Sequence, residues 1–274
     1  MRLAISNIAW DVVEDEAMAK LLQRFNIDAI DIAPGKYFPQ PNKAREQDIK
    51  YVKQWWAEHG IELTGMQSLL FGTSGLNLFG SAKVQNTMLE HLTSVCRIGS
   101  GLGATRLVFG SPKNRDRNGF NMQETLDIAA QFFNRLGDIA KSYEVQVCLE
   151  PNPPLYGANF MTTSPETARV VELVAHHAIK MQLDTGALTM NTEDVNDVVE
   201  SHADLIGHIH ASEPELLPLG DGGTDHDKIF NSLVRHLPNH LVSIEMVATT
   251  DEPHLVSVER ALQVATQSYQ NDVR

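Results

Sequence analysis

VQVCLEPN at 145–152, SPETARVVELVAHH at 164–177 and KMQLDTG at 180–186 form one repeating unit of this chain. The outer two are short apolar runs bounded by polar and turn residues, the pattern of buried strands. The middle one opens with Ser164 as the expected N-cap, Pro165 at the first helical position and Glu166 in the first turn. Its helix is expected to run through the His176–His177 pair, as another is through Trp55–Trp56. Two strands joined by a helix are parallel, because a hairpin-length turn cannot return the chain to the same end of the sheet. A strand covered on both faces reads as a continuous apolar run, and these do.

The unit recurs along the whole sequence. Further runs are LAISNIAW from Leu3, DAIDIAP from Asp28, LTGMQSLL from Leu63, RLVFGSP from Arg106, IGHIHASE from Ile206 and LVSIEMVA from Leu241. Amphipathic segments lie between them; in AMAKLLQRF, for example, Met18, Leu21, Leu22 and Phe25 follow helical spacing. NTEDVNDVVESH (191–202) and VERALQVATQSY (258–269) behave alike. Eight strand–helix units predict an α/β fold, a closed (β/α)8 TIM barrel with one domain over residues 1–274, with an open doubly wound sheet as the alternative. IGSGLGA at 98–104 looks like a dinucleotide fingerprint but ends in Ala104 and precedes a strand. Phosphate cradles follow a strand and open a helix, so this segment reads as a helix-to-strand turn.

Composition bounds the function. The chain has 22 basic and 35 acidic residues, a formal charge of −13, and is 42% hydrophobic. That is a folded globular composition, and the acid excess disfavours nucleic-acid partners, whose phosphates require Lys and Arg. Two cysteines, Cys96 and Cys148, stand far apart and suggest neither a disulfide framework nor a thiolate zinc site. Without a signal-like N-terminus or an apolar run long enough to span a bilayer, a cytoplasmic protein with no membrane partner is expected.

Barrel active sites lie at the C-terminal ends of the strands. The last four runs each place one ionisable residue near that end, between apolar neighbours: Glu150, Asp184, His210 and Glu245. A charge inside a core-like strand is costly unless it is paired or metal-bound. Three carboxylates and one imidazole with no cationic partner in view predict one bound divalent metal ion, Mn²⁺ or a similar ion, with Zn²⁺, Co²⁺ or Mg²⁺ as the other candidates.

This set resembles the metal site of the xylose isomerase-like TIM barrel superfamily, which includes sugar and sugar-phosphate isomerases and epimerases, inosose dehydratase and metal-dependent AP endonucleases. The resemblance implies Glu150, Asp184, His210 and Glu245 as metal ligands, with Glu150 and Glu245 also the acid/base pair. The implied reaction is isomerisation or epimerisation of a small sugar. A carbonyl and a neighbouring hydroxyl are polarised by the metal, and a carboxylate on each side removes and returns the proton beside the carbonyl. Dehydration of a cyclic polyol, phosphodiester cleavage and non-catalytic sugar binding are the alternatives.

Residues near the same strand ends are candidates for holding the carbohydrate: His208 and Asn152, each two residues from a ligand, together with Glu213, Trp10 and Gln67. In LGDGGTDHD (219–227), Asp225 and His226 read as capping the next helix. The epimerases of the superfamily carry a histidine three residues after the sixth-strand aspartate and an arginine about six beyond the seventh-strand histidine. Ala187 and Leu216 stand there, and Tyr156 takes the place of an acidic helper after the fifth strand. The metal shell is therefore expected intact and the substrate shell altered. Lys113 and Arg115 are the loop cations nearest that face. Homo-oligomerisation is left open.

Overall fold

The structure, a computed structural model, describes residues 1–270. In chain order its elements are β1 (Leu3–Ser6), α1 (Asp15–Arg24), β2 (Ala29–Ile32), α2 (Pro34–Tyr37), α3 (Glu46–Glu58), β3 (Glu62–Met66), α4 (Ala82–Leu102), β4 (Arg106–Phe109) and α5 (Met122–Ser142). There follow β5 (Gln146–Leu149), α6 (Ser164–Val174), β6 (Ile179–Asp184), α7 (Thr185–Asn191), α8 (Val195–His202), β7 (Ile206–Ser212), α9 (His226–His236), β8 (Val242–Glu245) and α10 (His254–Tyr269). Every apolar run named above coincides with one strand, β3 and β6 beginning one residue earlier. The strands pair in parallel, in sequence order, and β1 pairs with β8 through Leu3–Val242 and Ile5–Ile244 to close a (β/α)8 barrel. The open-sheet alternative falls on that last pairing.

Apolar periodicity holds the helices to the outside of the barrel. On α5, Leu126, Ala129, Phe133, Leu136 and Ala140 are buried at alternating spacings of three and four. Asn121 starts that helix with a reciprocal cap: its side chain accepts from the Glu124 N–H while Glu124 accepts from the Asn121 N–H, each at 3.0 Å. Phe133 packs edge-on against Phe109 of β4, ring centroids 5.4 Å apart, locking helix to strand. Each buried Phe of this kind stabilises the fold by about 1.5–3 kcal/mol.

Several local expectations need correction. Thr163, not Ser164, caps α6, accepting from the Glu166 N–H at 3.3 Å, while the Ser164 N–H is taken by Glu193. The α6 helix ends at Val174, so His176 and His177 lie in the following turn, where the His176 ring accepts from the Ala178 N–H. Trp55 and Trp56 do lie in α3, and segment 98–104 is the end of α4 and the turn into β4. Asp225 caps α9 through the Lys228 N–H. Among the described residues, no helix is long and apolar enough to cross a membrane.

Both cysteines are free and buried, Cys96 on α4 and Cys148 on β5. Burial pushes each thiol up to about 12, which removes the reactive thiolate at neutral pH. A thiol-reactive chromophore should therefore label neither cysteine in the native protein and both after denaturation. Rapid native labelling would contradict the packing of α4 and β5.

Candidate metal centre

The four strands that end in ionisable residues bring them to one point. Glu150 follows β5 directly, Asp184 and Glu245 are the last residues of β6 and β8, and His210 lies within β7. Each offers one ligand atom, and these atoms all lie within 4.8 Å of one another. Nδ1 of His210 is 3.2 Å from Glu245 Oε2 and 3.5 Å from Glu150 Oε1. All four side chains are buried.

Neighbours fix the orientation of each group. Asp184 accepts the Ala187 N–H at 2.6 Å and the Ser212 hydroxyl at 2.8 Å, which aligns its carboxylate at the N-terminus of α7. Gln67, from the end of β3, donates to Glu245 Oε1. Asn152 donates to Glu150 Oε2 at 3.1 Å and itself accepts from Arg115, whose other terminal nitrogen donates to the Glu150 carbonyl oxygen at 2.7 Å. Gly110 is required beside this carboxylate, because a Cβ there would overlap Glu150 Oε2. Glu150 Oε1 is left buried with no hydrogen-bond partner. Among the described residues no Lys or Arg hydrogen-bonds a carboxylate of the three acids.

The electrostatics record the crowding. Burial, then Glu245 and Glu150, hold Asp184 well above the usual carboxylate range. At His210 burial opposes the charge, but Glu245 and the contacts with Asp31, Glu150 and Glu245 outweigh it and raise the imidazole well above its ordinary value. At Glu245 burial is outweighed by His210 and the Gln67 bond, which keep it low. A buried set of three oxygen donors and one nitrogen, with an orphan carboxylate oxygen among them, fits a divalent cation.

Asp31 belongs to this centre and was not singled out from the sequence. It lies on β2 beneath the four, with Oδ2 2.6 Å from His208 Nε2 and 3.8 Å from His210 Nε2. Burial would raise it, yet the two imidazoles hold it well below the usual carboxylate range. The signal was present: Asp31 stands between Ile30 and Ile32, a charge in an apolar strand like the others. The β2–β3 register slips between Ile30 and Asp31, and Gly65 opposite leaves room for the carboxylate, whose Oδ1 would lie 2.5 Å from a Cβ there.

The other candidates divide. A cavity of about 380 Å³ opens above the cluster and is lined by Glu150, Asp184, Glu245, Gln67 and Asn152, with Ala187 and Leu216 also on its wall. His208, Glu213 and Trp10 are not on that wall. His208 is engaged with Asp31. Trp10 is fully buried, its indole N–H donating to Asp15 at 2.8 Å, so it is a core residue and offers no face to a sugar. Glu213 points away into the 219–227 loop, accepting the Gly220 and Thr224 N–H groups at 2.7 and 2.9 Å and pairing with His226 at 3.0 Å. The His226 ring also meets the Tyr269 hydroxyl, so both residues are structural.

Burial raises Glu213, but His226 and the backbone N–H groups outweigh it and bring it below its ordinary value of 4.5. A depressed carboxylate contributes stability that is complete above its unfolded value and is lost as pH falls through its folded one. Replacing Glu213 by Gln should cost about 1–3 kcal/mol at pH 7. The variant should also lose less of its remaining stability than the parent between neutral pH and pH below 4.5, as read by urea unfolding. Parallel acid profiles would refute this role of Glu213.

The family model for xylose isomerase-like TIM barrels matches residues 19–265. A crystal structure of D-psicose 3-epimerase in the presence of D-fructose aligns with a TM-score of 0.81 at 16% identity, covering 99% of this chain and 100% of that one. D-psicose 3-epimerase with D-tagatose, from Clostridium cellulolyticum H10, gives 0.82 at 16% identity over 98% and 99%. The apo 3-keto-D-glucoside 4-epimerase of E. coli gives 0.78 at 15% over 96% and 98%. At these identities the likeness is one of fold. A sequence search of curated proteins finds no match. With most of its length covered by the family model, this chain belongs to the xylose isomerase-like TIM barrel family.

Proposed function

We propose that this chain is a divalent-metal-dependent isomerase or epimerase of a small sugar, with Glu150 and Glu245 as its proton-transfer pair. The observation that carries the reading is the convergence of Glu150, Asp184, Glu245 and His210 at the mouth of the barrel, with no Lys or Arg hydrogen-bonded to the acids among the described residues. The four would hold one ion per chain, and Mn²⁺ suits three oxygens and one nitrogen. When bound, such an ion supplies Lewis-acid polarisation of a carbonyl and an adjacent hydroxyl. The family and the sugar epimerases among its fold neighbours support the same chemistry.

The chain's own residues then divide the work. Glu150 and Glu245 flank the site from β5 and β8, with β6 and β7 between them, so a sugar lying over Asp184 has a carboxylate on either side. Glu245, held by Gln67, and Glu150, held by Asn152, would remove and return the proton on the carbon beside the carbonyl. Asp31, bonded to His208, faces the ring edge of His210 remote from the cluster and would keep Nδ1 directed at it.

Protein loaded with Mn²⁺ should catalyse solvent-deuterium incorporation into one or more members of a panel of ketoses, aldoses and inositol derivatives. Glu245→Gln and Glu150→Gln should each slow exchange by roughly 10²- to 10⁴-fold. Chelation should abolish exchange and lower the melting temperature, since a ligand of the native state alone stabilises it. Exchange accompanied by loss of water would move the assignment to the dehydratases. Metal-loaded protein that exchanges nothing across the panel would overturn it.

A further inference from the structure

We propose that the substrate is a neutral, unphosphorylated sugar bearing an apolar alkyl or aryl substituent, which seats against Phe71, Tyr156 and Leu216. This rests on the sugar reading above and specifies its substrate class. The lining of the cavity above the metal centre divides by chemistry. Its floor, the cluster side, is Glu150, Asp184 and Glu245 with Gln67 and Asn152; the rest of the wall is mainly apolar, with Leu69, Leu70, Phe71, Pro112, Pro153 and Leu216, and carries the hydroxyls of Ser68, Ser111 and Tyr156.

No Lys, Arg or His lines the cavity among the described residues, and the one charge beyond the floor is another carboxylate, Glu215. Arg115 lies behind the wall, 1% exposed, with its terminal nitrogens engaged by the Glu150 carbonyl and Asn152. Away from the metal itself, a phosphate would find no basic side chain on the wall to receive it, and a further carboxylate, Glu215, beside it. Apart from Ser68, Ser111 and Tyr156, the last two already bonded to Asn114 and the Glu215 N–H, the wall offers sugar hydroxyls few partners. Ala187 and Leu216 offer them no donor or acceptor side chain, so hydroxyls pressed there would lose water without replacement.

An apolar group suits that wall. Phe71 is 82% exposed, which leaves large apolar surface on the cavity wall, and Leu155, beside Tyr156 in the chain, is 76% exposed. Phe71, Leu69 and Ser68 are shared with a second cavity of about 560 Å³, giving a substituent room beyond the sugar. The opposite side is held in place. The Tyr156 hydroxyl oxygen accepts the Glu215 N–H at 2.7 Å. Leu216 is fixed at φ 55° next to Glu215 at φ 61°, pinned by its N–H to the Glu213 carbonyl and by the Val247 N–H to its own carbonyl, both at 3.0 Å. Two adjacent non-glycine residues in the left-handed region are strained, and that strain presents a leucine to the cavity.

The test is binding to Mn²⁺-loaded protein by calorimetry, using matched trios of a free sugar, its phenyl glycoside and its phosphate ester. The phenyl member of a binding trio should bind about 10- to 100-fold tighter than the free sugar, the worth of burying one ring, and the phosphate ester weakest. Phe71→Ser and Leu216→Ser should each shrink the phenyl preference while leaving Mn²⁺ stoichiometry and melting temperature in place. Leu216→Arg should raise the affinity of the phosphate ester. Deuterium exchange on free sugars combined with equal binding of phenyl and free members, or with tightest binding of a phosphate, would overturn this inference and leave the sugar reading standing. Failure of every trio to bind, together with failure of exchange, would overturn both.

Discussion

Repulsion among three buried carboxylates governs the upper half of this barrel. Glu150, Asp184 and Glu245 are taken out of water and set around one imidazole, in surroundings where like charges oppose each other far more strongly than on a surface. The same field acts on Asp184 and His210: it favours a proton on the acid and a positive charge on the ring. Groups in this condition bind cations in exchange for protons, and their affinity for a metal rises with pH for that reason. The chemistry proposed for the site uses the property that makes it costly to fold.

That cost is met by a surrounding set of contacts more extensive than the cluster itself. Asp184 is held by a helix N-terminus and Ser212, Glu245 by Gln67, Glu150 by Asn152 and through it Arg115. Arg115 is fully buried, and burial brings it from 12.5 down to about 10, so it remains protonated and holds the loop after β4 onto the end of β5. Backbone features make the space. Gly110 and Gly65 admit the carboxylates of Glu150 and Asp31, and the β2–β3 and β6–β7 ladders each shift register next to a polar interior residue.

The strands and the four clustered side chains were legible because both signals are local: an apolar run of limited length, and a charge where apolar side chains belong. Alternation along a strand also places neighbours, but it gives the side and not the depth. His208 points the same way as His210, yet two residues at ~3.3 Å each set it deeper, where it meets Asp31 instead of the cavity. Glu213 is offset from Ser212 by one, so it faces the loop behind the strand. Trp10 follows a 3₁₀ turn at Asn7–Ala9, which breaks the strand's parity before the indole is placed. Thr163 and Ser164 are both capping residues, and their order alone does not decide between them. Asp31 carried the same signal as the other four, but its partners are 177 and 179 residues away on β7, and only the closed barrel brings them together.

The placement of the basic residues completes the electrostatic picture. Arg2 pairs with Asp28 and Glu62, Arg260 with Asp221 and Glu252, Lys228 with Asp194 and Arg24 with Glu259, all with much of their side chains in solvent. Exposed pairs of this kind add little to stability, because water screens them. Their larger effect is on the field, because cations engaged at the periphery do not offset the acids at the mouth. A cleft lined by one sign of charge draws the opposite sign toward it. Here that favours a cation at the cluster, and under the proposed reading the same charge distribution works against anionic groups at the entrance.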